Sequence, residues 1–147
     1  MDVQITGHFK LSEFLRSSYI SNMGPSSHMT AFLNEQENID SAIFANIFLL
    51  CNKVLEPLRQ SFGKCIRINS GYRCKRLNRC VGGVSSSQHL LGSAADITSD
   101  NNADLLSYLL LMNFDQLICY GSPDNPRFIH VSYVSADANR NQVLYKP

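Results

Sequence analysis

The densest cluster of side chains able to bind a metal or move a proton runs Ser85-Ser86-Ser87-Gln88-His89-Leu90-Leu91-Gly92-Ser93-Ala94-Ala95-Asp96. A catalytic zinc site usually takes three nitrogen, sulfur or oxygen ligands from the protein and keeps one position open. His89 and Asp96 offer two such atoms. Gly92 between them permits a tight reversal, and Ser93, Ala94 and Ala95 are small enough for close backbone packing. A strand carrying Asp96 can therefore return beside His89. A third ligand has to come from elsewhere in the chain. His130 lies in Phe128-Ile129-His130-Val131-Ser132-Tyr133, where alternation puts Phe128, His130 and Ser132 on one face. Spacing alone leaves two readings open for this histidine, a metal ligand or a hydrogen-bonded core residue.

These residues need elements to position them. Residues 7–22 carry a short helical pattern, with Leu11, Phe14, Leu15 and Tyr19 on one face, and 22–30 read as a loop by composition. The strongest helix follows. Ile39, Ala42, Ile43, Ile47, Leu50, Cys51, Val54 and Leu58 recur at steps of three and four, and Pro57 is expected to end or kink it. Cys65 to Asn69 alternates and reads as a strand, Cys74 to Cys80 as a short helix stopped by Gly82-Gly83, and Ala94 to Thr98 as a second strand. Asp104 to Met112 reads as a helix. Asp115 to Tyr120 and Phe128 to Tyr133 read as strands joined by a turn-rich loop, Gly121 to Arg127, and Gln142 to Tyr145 as an added edge strand. Helices first and hairpin-like strands after predict an α+β fold, a small antiparallel sheet with helices packed on one side.

The chain has 147 residues, of which 44% are hydrophobic and 17% charged, a globular composition. One domain over 1–147 is expected, with a helical part at about 9–62 and a core at about 64–135 that holds the metal-site residues. A net charge of +1 argues against electrostatic capture of nucleic acid. Ile43 to Cys51 and Leu105 to Met112 are each too short to cross a bilayer, so no membrane span is expected. Met1 to Lys10 lacks the features of a signal peptide. Synthesis in the cytoplasm is therefore expected, with any action in the periplasm or wall following release. A monomer is the expected state. The cysteines are Cys51, Cys65, Cys74, Cys80 and Cys119, an odd number without a CxxC pair; reduced, mostly buried thiols are expected.

Ser87 to Asp96 matches, at every specified position, the SxHxxGxAxD motif of the zinc D-Ala-D-Ala peptidases, and the chain thereby resembles the M15 metallopeptidases. Phe128 to Ser132 resembles that family's W-[IV]-H-V-S strand. Ile68 to Arg73 resembles its SGYR turn, with Asn78 and Val81-Gly82-Gly83 following as in many members. Leu11 to Phe14 and Leu55 to Arg59 resemble members associated with phages and bacteria. The likeness runs from about residue 9 to residue 133. It implies the zinc D-Ala-D-Ala peptidase fold, shared with hedgehog-type signalling domains, and a single zinc ion held by His89, Asp96 and His130. Two neutral imidazoles and one carboxylate leave such a site positive, able to acidify a water and polarise a carbonyl. It also implies peptidoglycan stem peptides as substrate, cut by a carboxypeptidase or an endolysin-type endopeptidase. Arg73 matches the family arginine placed near substrate, and Ser87 the motif serine, which binds substrate or caps the turn.

The resemblance breaks at the general base. Many relatives carry a glutamate three residues before the last histidine, where this chain has Arg127. Others carry one shortly after the FDQLI strand, where this chain has Tyr120. A phenol with a pKa near ~10 is a poor base at neutral pH, although it can donate to an oxyanion. Asp124 in the loop is the nearest other acid, and His8 and His28 are unplaced. Two functions therefore stand side by side: a zinc peptidase, and a non-catalytic zinc module that binds cell-wall peptide or a protein partner.

Overall fold

A computed structural model of the chain describes residues 2–147. Two short helices, α1 (Leu11–Leu15) and α2 (Ser18–Ser21), occupy the first patterned region. Phe14 and Ile20 are the buried residues of these two helices, whereas Tyr19 is exposed. The stretch read as a loop is half helix. Ser26 accepts a hydrogen bond from Met29 N and starts α3 (Ser27–Glu37). An N-cap serine offsets an unpaired amide at a helix start, and here it overrides a turn-like composition.

Helix α4 (Ser41–Phe62) is capped by Asp40, which accepts from Ile43 N. It runs straight through Pro57. Residues Cys51–Leu55 widen into a π turn, closed by Glu56 N to Cys51 O, and Pro57 then opens the next helical segment. A proline needs no amide partner in a first turn, so the wider turn absorbs it. The result is a 22-residue helix that contains an 18-residue window of mean hydropathy 1.3. Length and composition alone would let this helix cross a bilayer, a test that a buried core helix also passes. Its Ile47, Leu50, Cys51, Val54, Leu55 and Leu58 have no exposed surface, because they form the core beneath the sheet.

The sheet contains β1 (Arg67–Ser70), β2 (Ala94–Thr98), β3 (Gln116–Ser122), β4 (Asn125–Ser132) and β5 (Gln142–Lys146). Their order is β1-β2-β4-β3-β5. All pairs are antiparallel except β3 with the edge strand β5. Helices α5 (Lys75–Cys80) and α6 (Asn102–Leu109) complete the fold, with α6 packed on β4 and on the end of α4.

Successive side chains of a strand point to opposite faces. One face presents Ile68, Ala95, Ile97, Leu117, Cys119, Ile129 and Val131, all buried in the helix-covered core. The opposite face presents Asp96, His130, Ile118, Tyr120 and Lys146, which line a groove. Helices cover one side of this α+β sheet, and the other carries the polar chemistry. Of the five cysteines, all unbridged, Cys51, Cys74 and Cys119 are buried, while Cys65 and Cys80 are exposed.

Candidate metal centre

His89 sits on a short 3-10 turn, Gln88–Leu91, whose start is capped by Ser87 Oγ accepting from His89 N at 3.3 Å. Gly92 ends the turn at φ +75°, and a side chain there would come within 2.9 Å of Ile47 on α4. A left-handed conformation pressed against the core helix demands glycine. The chain then reverses into β2, where Asp96 pairs in register with His130 of β4. Local turn geometry places the first histidine and sheet register places the other two residues.

The donor atoms converge. Asp96 Oδ1 lies 2.9 Å from His130 Nδ1 and 3.4 Å from His89 Nε2, and the three atoms all fall within 4.8 Å of one another. With bonds of about 2.0–2.2 Å, neighbouring donors of a tetrahedral zinc lie roughly 3.3–3.6 Å apart. The two short edges are therefore close to what zinc needs. Protonation also fits. His89 Nδ1 lies 2.7 Å from the carbonyl of Gly71. A carbonyl only accepts, so Nδ1 carries a proton and Nε2 is the atom turned toward Asp96. Gly71 itself lies so near helix α1 that a side chain would meet the Phe14 backbone at 2.7 Å. This contact, with Tyr72 N donating to Phe14 O at 2.9 Å, fixes the carbonyl that orients the ligand. Burial pushes the Asp96 carboxyl up, but hydrogen bonds and charge from His130 and His89 outweigh it and hold it ionised well below the usual range.

Arg73 is largely buried beside this cluster. Its Nε donates to Ser70 Oγ at 3.2 Å, Nη1 to Asn78 Oδ1 at 3.1 Å, and Nη2 lies 3.6 Å from Asp96 Oδ2. The guanidinium thus holds the outer carboxylate oxygen while Oδ1 faces the histidines. It keeps further N–H donors toward a groove of about 640 Å³ that Ser87, Tyr120 and the three candidate ligands also line.

Tyr120 stacks on Phe128 with centroids 4.4 Å apart and planes 14° from parallel. Burial and then the Asp96 charge push its phenol up, and Arg73 offsets this only in part. It remains a proton donor. Asp124 is exposed and lies outside the groove lining. The reason is register: Ser122 pairs with Asn125, so the expected seven-residue loop shrinks to a tight turn unable to fold over the site. His8 lies against Glu56 at 2.6 Å and His28 against Arg76 at 3.1 Å; neither lines the groove. Among the described residues lining it, Asp96 is the one carboxylate.

Four contributors escaped sequence reading. Asp115 is 2% exposed and accepts from Arg140 Nε at 3.0 Å, Arg140 Nη2 at 2.8 Å and Gln88 Nε2 at 2.8 Å. The charge-paired Arg140 holds this carboxyl down at about 2. It ties the His89 turn to the segment before β5. Gln88 fills an unspecified motif position, and Arg140 lies in a tail with no periodicity. Lys146, also in the groove lining, stands at the end of the edge strand.

In comparison with known families, the model described as Peptidase M15 matches residues 8–132. No curated protein matches the chain.

Proposed function

The chain belongs to the peptidase M15 family, a family of zinc metallopeptidases, and on that premise we propose that it hydrolyses peptidoglycan stem peptides as a zinc-dependent peptidase. A D-Ala-D-Ala carboxypeptidase and an endolysin-type endopeptidase are the two forms this takes. The observation that carries the proposal is the convergence of His89 Nε2, Asp96 Oδ1 and His130 Nδ1 on the open face of the sheet, at the head of a peptide-sized groove. One zinc ion bound by these atoms supplies a Lewis acid that polarises a peptide carbonyl and acidifies water.

The chain's own residues do the rest. Asp96 contributes the negative charge of the ligand set, and Arg73 keeps that carboxylate oriented through its 3.6 Å contact. The remaining guanidinium donors of Arg73 bind a substrate carboxylate or the oxygen on which charge develops. The Tyr120 hydroxyl, held protonated, donates to that same oxygen. Ser87 Oγ is already engaged with the His89 amide, which supports its role in shaping the turn.

A second reading, a non-catalytic zinc module that binds cell-wall peptide, is favoured by one feature. Tyr120 stands where relatives carry a glutamate, and no other carboxylate lines the groove. Loss of a general base typically costs on the order of 100- to 10,000-fold in rate. The test is to measure zinc by mass spectrometry and then incubate the loaded protein with purified sacculi and D-Ala-D-Ala peptides. The peptidase reading expects cleavage that disappears in His89→Ala, while circular dichroism stays native and bound zinc drops toward zero. Stoichiometric zinc with every substrate left intact would establish the second reading.

A further inference from the structure

Three cations line the groove, Arg73, Arg140 and Lys146. Two are engaged. Arg73 is held by Ser70, Asn78 and Asp96, and the Arg140 guanidinium is paired with Asp115 at 2.8 and 3.0 Å. Lys146 makes no ion pair or hydrogen bond among the described residues. Its ammonium lies over the Tyr120 ring, 5.9 Å from the centroid.

Register aims Lys146 at the site. Strand β5 runs parallel to β3 with Lys146 opposite Tyr120, so both side chains leave the same face as Asp96 and His130. From His130 on β4 the sheet steps to Ile118 on β3 and Leu144 on β5. Two strand spacings amount to about 9–10 Å. Lys146 stands two residues further along β5, about 6–7 Å, so it lies roughly 12 Å from His130, the length of three to four residues of extended peptide. Ile118 and the stacked Tyr120–Phe128 pair line the groove between the candidate ligands and this cation. The strand lies outside the matched residues 8–132.

We infer that Lys146 binds a carboxylate of the peptide on the β5 side of His89, Asp96 and His130, and thereby sets a preference for acidic over amidated peptides. The inference rests on the peptidase reading only for the class of ligand. The carboxylate is either the C-terminal one or that of an acidic side chain.

The experiment is calorimetric titration of the zinc-loaded full chain with a non-hydrolysable reduced-amide analogue of a stem peptide ending in D-Ala-D-Ala. Two further analogues carry an amide in place of the C-terminal carboxylate or of the side-chain carboxylate. An exposed ion pair is worth up to about fivefold in affinity. The free acid is expected to bind about fivefold tighter than one of the amides, and that amide identifies the source. Lys146→Ala should bring acid and amide within twofold of each other and leave the amide's affinity unchanged, while Lys146→Arg retains the preference. A preference that survives Lys146→Ala places the carboxylate on Arg73 and overturns the inference. Equal affinity of all three analogues for the unmodified protein overturns it as well. A Lys146-dependent preference in a protein that cuts no peptide upholds this inference and removes the peptidase reading.

Discussion

Tyr120 decides how much chemistry the site can perform. It occupies a groove position next to the ligand cluster, stacked on Phe128, with its phenol pushed up by burial and the Asp96 charge. A group protonated throughout the neutral range cannot accept a proton from water, but it can donate to a developing negative charge. Two substitutions separate these roles. Tyr120→Phe keeps the stack and deletes only the donor, so peptide hydrolysis should fall about 100- to 1,000-fold with bound zinc unchanged. Tyr120→Glu installs a carboxylate able to act as the general base, and hydrolysis should rise by about 100-fold or more. Both rates can be read by following D-alanine release at pH 7. A Tyr120→Glu protein that binds zinc and gains no rate would show that the missing base is not what limits this site.

At the scale of elements, the metal centre is a 3-10 turn set against a strand pair, and Gly92 is where they meet. Its φ of +75° and the 2.9 Å approach of Ile47 leave no room for a side chain. Gly92→Ala should cost about 2–4 kcal/mol, from left-handed strain together with overpacking against α4. Urea unfolding would show the loss, and zinc affinity should weaken alongside because His89 rides on the same turn. An unchanged unfolding midpoint would mean that the turn rearranges freely. The glycine was legible in the sequence, as were β2, β4 and the alternation that puts His130 on one face. What stayed hidden depended on partners distant in the chain. The cap at Ser26 turned an apparent loop into α3, a π turn carried α4 past Pro57, and pairing of Ser122 with Asn125 shortened the loop that was to bring Asp124 near the metal. Composition and periodicity report local preference, and each of these outcomes was set by a single hydrogen bond or by strand register.

Over the whole molecule, the C-terminal segment is fastened to the metal-bearing half through Asp115. This carboxylate accepts from Arg140 and from Gln88, while the Asp115 carbonyl accepts from Gln142 N at 3.0 Å and sets the parallel register of β5. The sequence suggests an edge strand at Gln142 to Tyr145, and what it does not show is the parallel pairing with β3, which is specified by contacts and carries no hairpin signal of its own. The Asp115 carboxyl is held at about 2 by its pairing with Arg140, against 3.8 for the free group. Its folded value lies below its unfolded one, so its contribution to stability is complete above about pH 4 and disappears as pH falls toward 2. The shift corresponds to at most about 2.4 kcal/mol, and screening at the half-exposed Arg140 brings the expected contribution to about 1–2 kcal/mol. Asp115→Asn should therefore be less stable than the unmodified chain by that amount at pH 6, measured by urea unfolding of the zinc-free proteins. The gap should close progressively between pH 4 and pH 2, since the unmodified carboxyl becomes neutral over that range. Other acid-sensitive groups, Asp96 among them, lower both curves equally and cancel in the difference. A gap that stays constant down to pH 2 would mean that the Asp115–Arg140 charge pair does not hold the C-terminal strand, and that the neutral hydrogen bonds around residues 140–142 do so instead.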